Sequence, residues 1–374
     1  MKEIKVYADN AATSRLSDAA FEAMLPFLRN EYGNASQPYS LGRAAKEAIE
    51  NARVQIAECI GASPLEIFFT SGGSESNNWV LRSYSEIHPN GKIITSPLEH
   101  HSILNALECV NIPNKHFVSV DSSGMVLLND LDQLLDGRQL LVSVMMANNE
   151  IGTIQPIAKI SRLCHHHNAL FHCDAVQAVG HIPINVRDMD VDYMSASAHK
   201  FNGPKGIGFL YIKNCQPIRS LISGGSQESH LRAGTENVAS IVGMATALTE
   251  NISSLNKNME YVRSLEDSLL NQLSSAGIEY IRNGASERTP GNISLSFKGQ
   301  NGESILHRLD LKGICISTGS ACDSTSTQVS HVLKAIGLAP EYAEGTIRIS
   351  LGKENTLTDI KIIATALSDI INRN

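Results

Sequence analysis

Between residues 66 and 212, short apolar runs alternate with longer amphipathic stretches, and this alternation constrains the fold more than any other feature of the chain. Strand-length runs fall at residues 66–70, 92–96, 139–147, 169–174 and 191–196, and each runs into polar or small residues. Buried strands separated by helices build a mostly parallel α/β sheet. In an open sheet of that kind, the residues just beyond the carboxyl ends of the strands line the ligand crevice. Those positions are therefore where function should be sought.

The strand end at residues 191–197 is the most specific of them. Asp192 to Leu210 reads D-Y-M-S-A-S-A-H-K-F-N-G-P-K-G-I-G-F-L, with a second strand expected at 206–212. A lone lysine in a hairpin loop is ordinarily a surface residue. Here small residues crowd the approach to Lys200, with His199 one position before it and Ser197 three before it. That setting suits an amine that is desolvated, lowered in pKa and held against a phosphorylated ring. Lys200 is read as a Schiff-base lysine for pyridoxal 5'-phosphate.

Other strand ends carry compatible groups. Ser71-Gly72-Gly73-Ser74 stands at a strand-to-helix turn, where backbone N–H groups at a helix start can cradle a phosphate, although such a turn is often only a turn. Asp174 closes a strand where a carboxylate could pair with a protonated ring nitrogen, or simply cap a helix. Arg348 alternates with Ile347 and Ile349 and so faces away from them, which suits either a carboxylate-binding guanidinium in a cleft or a half-exposed surface residue. Cys59, Cys109, Cys173 and Cys315 read as buried apolar residues. Cys322 sits instead among Gly, Ser, Thr and Asp in a polar loop, where a thiol is a liability unless used. His165, His166 and His167 fan around a helix end and cannot converge, so a zinc site is rejected.

Helices are expected near 17–30 and at 41–60, where Ala45, Ile49, Ala52, Ile56 and Ile60 keep helical spacing and Gly61 stops the run. A charge-rich helix at about 251–275 leads to short strands at 279–282, 292–297, 314–317 and 346–351, and a closing helix spans 359–372. A net charge of −7 disfavours direct nucleic-acid binding. No apolar leader or bilayer-length run is visible, and an odd cysteine count without C-x-x-C spacing fits a reducing compartment. A soluble, cytoplasmic protein with no membrane association is expected.

Taken together, S-A-S-A-H-K-F-N-G-P-K-G-I-G-F-L-Y, D-N-A-A-T at the start, S-G-G-S-E-S-N-N, the E-H-x-x-x-L ending at Leu104, D-A-V-Q and S-T-G-S-A-C resemble the cysteine desulfurases. These form the NifS/IscS-like branch of the class V aminotransferase superfamily, and the motifs span residues 8 to 351. The resemblance implies the pyridoxal-phosphate fold type I. A large cofactor domain would cover residues 14–256, and a small α/β domain built from residues 1–13 and 257–374 would carry the cysteine loop.

The same resemblance implies roles for single residues. Gly73 and Ser74 would hold the cofactor phosphate, and Ser197 and His199 flank the site. His100 would stack on the ring and manage protons on the substrate thiol, with His101 solvated. Asn149 and Gln177 would bond the ring oxygen, Asp174 the ring nitrogen. Asn34 and Arg348 would bind the substrate carboxylate. Cys322 would be the nucleophile that collects sulfur from L-cysteine as a persulfide and passes it to an acceptor or scaffold protein, for iron–sulfur cluster assembly or another sulfur pathway. Thr235 would reach the neighbouring subunit's cofactor in a homodimer. Asp9 and Asn10 receive no chemical role. Asp323 departs from what thiol activation would favour, since a neighbouring carboxylate raises a thiol pKa. A selenocysteine lyase or an aminotransferase on the same fold, and a non-catalytic scaffold, are the competing readings.

Overall fold

The computed structural model describes residues 4–318 and 329–372. Its strands are β1 (Val6–Tyr7), β2 (Ile67–Thr70), β3 (Lys92–Thr95), β4 (Asn114–Phe117), β5 (Leu140–Met145) and β6 (Leu170–Asp174). They continue with β7 (Tyr193–Ser197), β8 (Gly208–Ile212), β9 (Ile281–Arg282), β10 (Asn292–Ser296), β11 (Ile314–Cys315) and β12 (Thr346–Ser350). A seven-stranded sheet runs β2-β8-β7-β6-β5-β3-β4 among the described residues. Only β8 runs against its neighbours, pairing antiparallel with β2 and β7. The mostly parallel sheet is as expected.

Burial explains why the central strands lack polar alternation. Every residue of β5 is buried, as in a strand covered on both faces. Val142 and Val144 join one core with Ile56, Phe171, Met194 and Met244. Leu141 points the other way and packs with Trp79, Ile93, Tyr193 and Leu210. The helix Ser40–Ile60 buries Ala45, Ile49, Ala52, Ile56 and Ile60 against the first core and ends at Gly61 in the left-handed region (φ +71°). The helix expected over 251–275 is instead two helices, Val238–Ser253 and Leu255–Ser275. They meet at Ser254, whose non-helical backbone (φ −116°, ψ 12°) interrupts the ladder.

A separate core gathers Val6 and Ala8 with Leu265, Leu269, Ile293, Leu295, Ile347, Ile349, Ile363 and Leu367. Ile347 and Ile349 both enter it, so the intervening Arg348 is directed to the opposite face of β12. Residues 9–14 then cross toward the large sheet. The Asn10 N–H donates to the Ser350 carbonyl at 3.1 Å, and the Ser14 N–H donates to the His199 carbonyl at 2.8 Å.

One loop is held in a conformation that few residues choose. Glu228, Ser229 and His230 all adopt positive φ (44°, 55° and 66°). Arg53 compensates by donating to both Glu228 carboxylate oxygens at 2.8 and 2.9 Å, and the Phe69 N–H adds a third bond at 2.8 Å. No helix among the described residues is long and apolar enough to cross a membrane.

His172 lies at the centre of the sheet, fully buried, between the hydroxyls of Ser143 (2.8 Å) and Ser195 (2.9 Å). Burial lowers its pKa to about 3. An unfolded histidine titrates near ~6.5, so below that pH the unfolded chain binds a proton the native state refuses. Stability should therefore fall on acidification below about pH 6.5, with His172 contributing on the order of 1 kcal/mol per pH unit. Urea unfolding between neutral pH and about pH 5 should show a shallower pH slope in His172→Gln than in wild type. Equal slopes would refute the assignment.

Candidate active site

A cavity of about 570 Å³ opens beyond the carboxyl ends of the parallel strands, in the range of small-molecule sites (about 300–1,000 Å³). After β2 the chain turns through Gly72, whose φ of +151° is a glycine conformation, into the helix Gly73–Ile87. A Cβ on Gly73 would lie 2.5 Å from Val176 Cγ2, so only glycine lets this helix start approach the β6 turn. The helix therefore presents its first N–H groups to the cavity, a setting that suits an anion. Glu75 in the first turn would oppose one. Burial favours its neutral form, but bonds from Arg232 (2.9 Å) and the Ser71 N–H (2.8 Å) outweigh that and lower its pKa.

At the end of β6, Asp174 is buried yet lines the cavity. Its Oδ1 accepts from the Val176 N–H at 3.0 Å and its Oδ2 from Asn77 Nδ2 at 2.7 Å. Asn77 Nδ2 also donates to Ser102 Oγ at 2.8 Å, and Ser102 Oγ lies 2.8 Å from His100 Nδ1. His100 precedes the helix His101–Cys109 as its N-cap, its Nδ1 accepting from the Ser102 N–H at 3.1 Å. Its pKa is lowered first by burial, then by Lys200 and His101, against an opposing pull from Asp174.

Lys200 reaches the cavity from the turn after β7. Its Nζ donates to the carbonyls of Ala11 (2.6 Å) and Ala12 (2.8 Å), and Gln177 Nε2 donates to the same Ala11 carbonyl at 2.9 Å. Behind it, His181 Nε2 donates to the Lys200 carbonyl at 2.8 Å. His199 Nδ1 lies 3.2 Å from Thr13 Oγ1, and burial together with Lys200 and Lys205 lowers its pKa to about 4. It is therefore neutral at physiological pH.

Arg348 is 3% exposed and also lines the cavity, which removes the surface-residue reading. Its Nη2 donates to Asp9 Oδ1 at 2.7 Å and its Nη1 to the Asn149 carbonyl at 3.0 Å. Asp9 thus gains a partnership the sequence reading did not give it. The two lie 339 positions apart, and nothing local in D-N-A-A-T signals the pairing. Asn77 and Ser102 were likewise missed as members of the site; both lie in the first turns of the helices that follow the strand ends, Gly73–Ile87 and His101–Cys109.

Gly73, Ser74, His100, Asn149, Asp174, Gln177, Ser197, His199, Lys200 and Arg348 are brought together in this one cavity. Asn34 and Thr235 are not among its lining residues. Asn34 Oδ1 caps the Ser36 N–H at 2.9 Å instead, and Thr235 is exposed. His101, expected to be solvated, is half-buried and packs against the His331 ring at 5.0 Å. Of the cysteines expected in the core, Cys173 is buried, Cys59 and Cys315 are partly covered and Cys109 is exposed. Cys109 ends its helix on the solvent side, a position that helical spacing alone did not mark. The three-histidine run diverges: His165 bridges Asp190 and Asp192 at 3.0 Å each, while His167 meets Asp132 at 2.8 Å. Cys322 and Asp323 lie outside the described residues.

The residues present fit pyridoxal phosphate. The anion cradle, the carboxylate of Asp174 and the amine of Lys200 meet in one cavity of suitable volume, and Gly73 could not be larger without closing the cradle.

Comparison with known proteins agrees with this chemistry. The model of the aminotransferase class-V family matches residues 6–363. A cysteine desulfurase IscS of Dictyoglomus turgidum is 45% identical over 99% of this chain and 95% of its own length. The solved structure of a NifS-like protein superposes with a TM-score of 0.93 at 39% identity, covering 99% of this chain and all of that one. A structure described as SspA in complex with cysteine matches with a TM-score of 0.83 at 31% identity, over 94% of this chain and all of that one. The chain belongs to the class-V aminotransferase family, among its cysteine desulfurases.

Proposed function

We propose that this protein uses pyridoxal phosphate to remove sulfur from L-cysteine, giving L-alanine and a persulfide on Cys322. The observation that carries the reading is the convergence of Lys200, Asp174, His100 and Arg348 on one cavity with a glycine-built anion cradle. Gly73 and Ser74 would hold the phosphate, Asp174 the ring nitrogen, and Lys200 the aldehyde carbon. Asn149, Gln177, Ser197 and His199 complete the cofactor's surroundings. When bound, the cofactor supplies an electron sink conjugated to the substrate α-carbon.

The chain's own residues divide the remaining work. Arg348, held by Asp9, offers a guanidinium to the substrate carboxylate. Lys200 moves the α-proton, and His100 serves the substrate thiol as its hydrogen-bond partner. Cys322, as thiolate, attacks the substrate sulfur: one S–S bond forms, the C–S bond breaks, and its electron pair stays with the three-carbon fragment, which is protonated to alanine. The sulfur then passes to an acceptor protein, in iron–sulfur cluster assembly or another sulfur-transfer route. A thiol relay of this kind suits a cytoplasmic protein in a reducing compartment.

A homodimer is also proposed. Thr235 is exposed and away from its own cavity, and Phe21, Leu28, Tyr32 and Tyr39 leave large apolar groups in solvent. Asn34, half-buried, lies between the exposed Tyr32 and Tyr39, so its expected substrate contact would be completed only in the assembly. Sedimentation equilibrium should give twice the chain mass of 40.5 kDa; a monomer would remove Thr235 from the site.

With L-cysteine and dithiothreitol, wild type should release alanine and sulfide in equal amounts. Lys200→Ala and Cys322→Ala should each lose that release by about a hundredfold or more. Alanine production surviving in Cys322→Ala would replace the persulfide route with a lyase reaction. Gly73→Ala forces a Cβ against Val176, an overpacking of about 1–3 kcal/mol. Absorbance titration of the apoprotein with pyridoxal phosphate should then show binding weakened about ten- to hundredfold. Unchanged affinity would move the phosphate away from this helix start.

A further inference from the structure

The hydrogen-bond chain from Asp174 to His100 has a direction, and that direction selects one form of the imidazole. Asp174 already accepts from the Val176 N–H on Oδ1, and its Oδ2 faces the Asn77 side-chain amide at 2.7 Å. A carboxylate has only acceptors, so the amide must present its nitrogen. Turned over, Asn77 would set its oxygen against the Asp174 carboxylate and lose that bond. The cost of the observed orientation is visible: Asn77 Oδ1 is buried without a partner among the described residues.

Asn77 Nδ2 spends its second hydrogen on Ser102 Oγ at 2.8 Å. Ser102 must therefore accept on that side, which leaves its own hydrogen for His100 Nδ1, also at 2.8 Å. The Ser102 backbone N–H points at the same ring nitrogen at 3.1 Å. Two donors aimed at Nδ1 require that it carry a lone pair. The only other nitrogen available for the ring proton is Nε2.

We propose that Asn77 and Ser102 are positioning residues that lock His100 as the Nε2–H tautomer, so that the neutral ring meets the reacting groups as a hydrogen-bond donor from Nε2. To take a proton at Nε2 instead, the ring would first have to place a hydrogen on Nδ1, against the Ser102 N–H and hydroxyl. This deepens the reading of the site as a desulfurase centre and rests on it for the reaction served. The tautomer itself does not depend on which substrate is used. The charged and titratable groups that act on His100 are Asp174 from β6, Lys200 from the turn after β7 and the neighbouring His101. None of them reverses the polarity of the chain.

The test is the tautomer, read by long-range nitrogen–proton NMR of protein labelled at histidine with nitrogen-15, with pyridoxal phosphate bound. In wild type the unprotonated, far-downfield nitrogen of His100 should be Nδ1, with the resonance assigned by its loss in His100→Gln. Asn77→Asp replaces the donor amide with an acceptor, turns the Ser102 hydroxyl around and should shift His100 toward Nδ1–H. Ser102→Ala should lower kcat with L-cysteine about tenfold while KM stays within about twofold, and Ser102→Thr should restore most of the loss. A protonated Nδ1 in wild type overturns the proposal even if no variant folds. An unchanged tautomer in a folded Asn77→Asp variant overturns it as well. If no alanine or sulfide is released by wild type, the desulfurase reading fails while the tautomer result stands or falls by itself.

Discussion

The ion pair between Arg348 and Asp9 is the contact on which the arrangement of the site depends. A guanidinium this deeply buried is unfavourable without a counter-charge, and leaving such a group unpaired costs about 3–5 kcal/mol. The partner comes from the far end of the chain. Residues 9–14 leave β1, pair with Ser350 beside Arg348, and cross to the turn after β7, where Ser14 bonds the His199 carbonyl. On the way the carbonyls of Ala11 and Ala12 take up the Lys200 ammonium and the Gln177 amide. One extended segment thus sets the spacing between Arg348 and Lys200, two groups carried by different sheets.

That spacing has chemical consequences because the cavity gathers charges of both signs. It is lined by Lys200, Lys205 and Arg348 and by the acids Asp174 and Glu75, with Glu75 already paired to Arg232. The histidines between them are kept neutral by burial, His199 with a pKa of about 4 and His100 with a lowered one. Neutral imidazoles can hand on a proton without adding charge to a site that must hold a phosphate and a carboxylate together.

How much of this could be read from the sequence follows from how local each signal is. The alternating strands and helices, the Gly72-Gly73 turn and the strand-end residues Asp174, His199 and Lys200 were legible because backbone periodicity places them within a few residues. Arg348 could be placed on a face by its neighbours Ile347 and Ile349, but its depth could not. The contacts of Asp9 with Arg348 and of Asn77 with Ser102 and Asp174 were invisible because each depends on a partner brought near only by the tertiary fold. Asn34 and Thr235 show the converse. Motif similarity put them at the site, yet the single chain leaves both outside the cavity. The break at Ser254 was missed because a single non-helical residue between two helices leaves no Gly or Pro to mark it.

The residue just before His100 shows why Asp174 can serve as the chain's fixed point. Glu99 is wholly buried; its Oε1 accepts from the Met145 N–H at 2.9 Å, and its Oε2 has no partner among the described residues. Burial pushes its pKa well above the ordinary carboxyl range, and the proximity of Asp174 pushes it further. A carboxyl group so placed is neutral at physiological pH. Of two acids, one at the end of β6 and one beyond β3, the strands that flank β5, the one with the charge-stabilising bonds from Asn77 and the Val176 N–H lines the cavity, and the one without them is wholly buried. A second charge at Glu99 would repel the one on Asp174, the acceptor from which the polarity runs to His100. The neutral acid beneath the floor is therefore part of what lets a single carboxylate orient the groups above it.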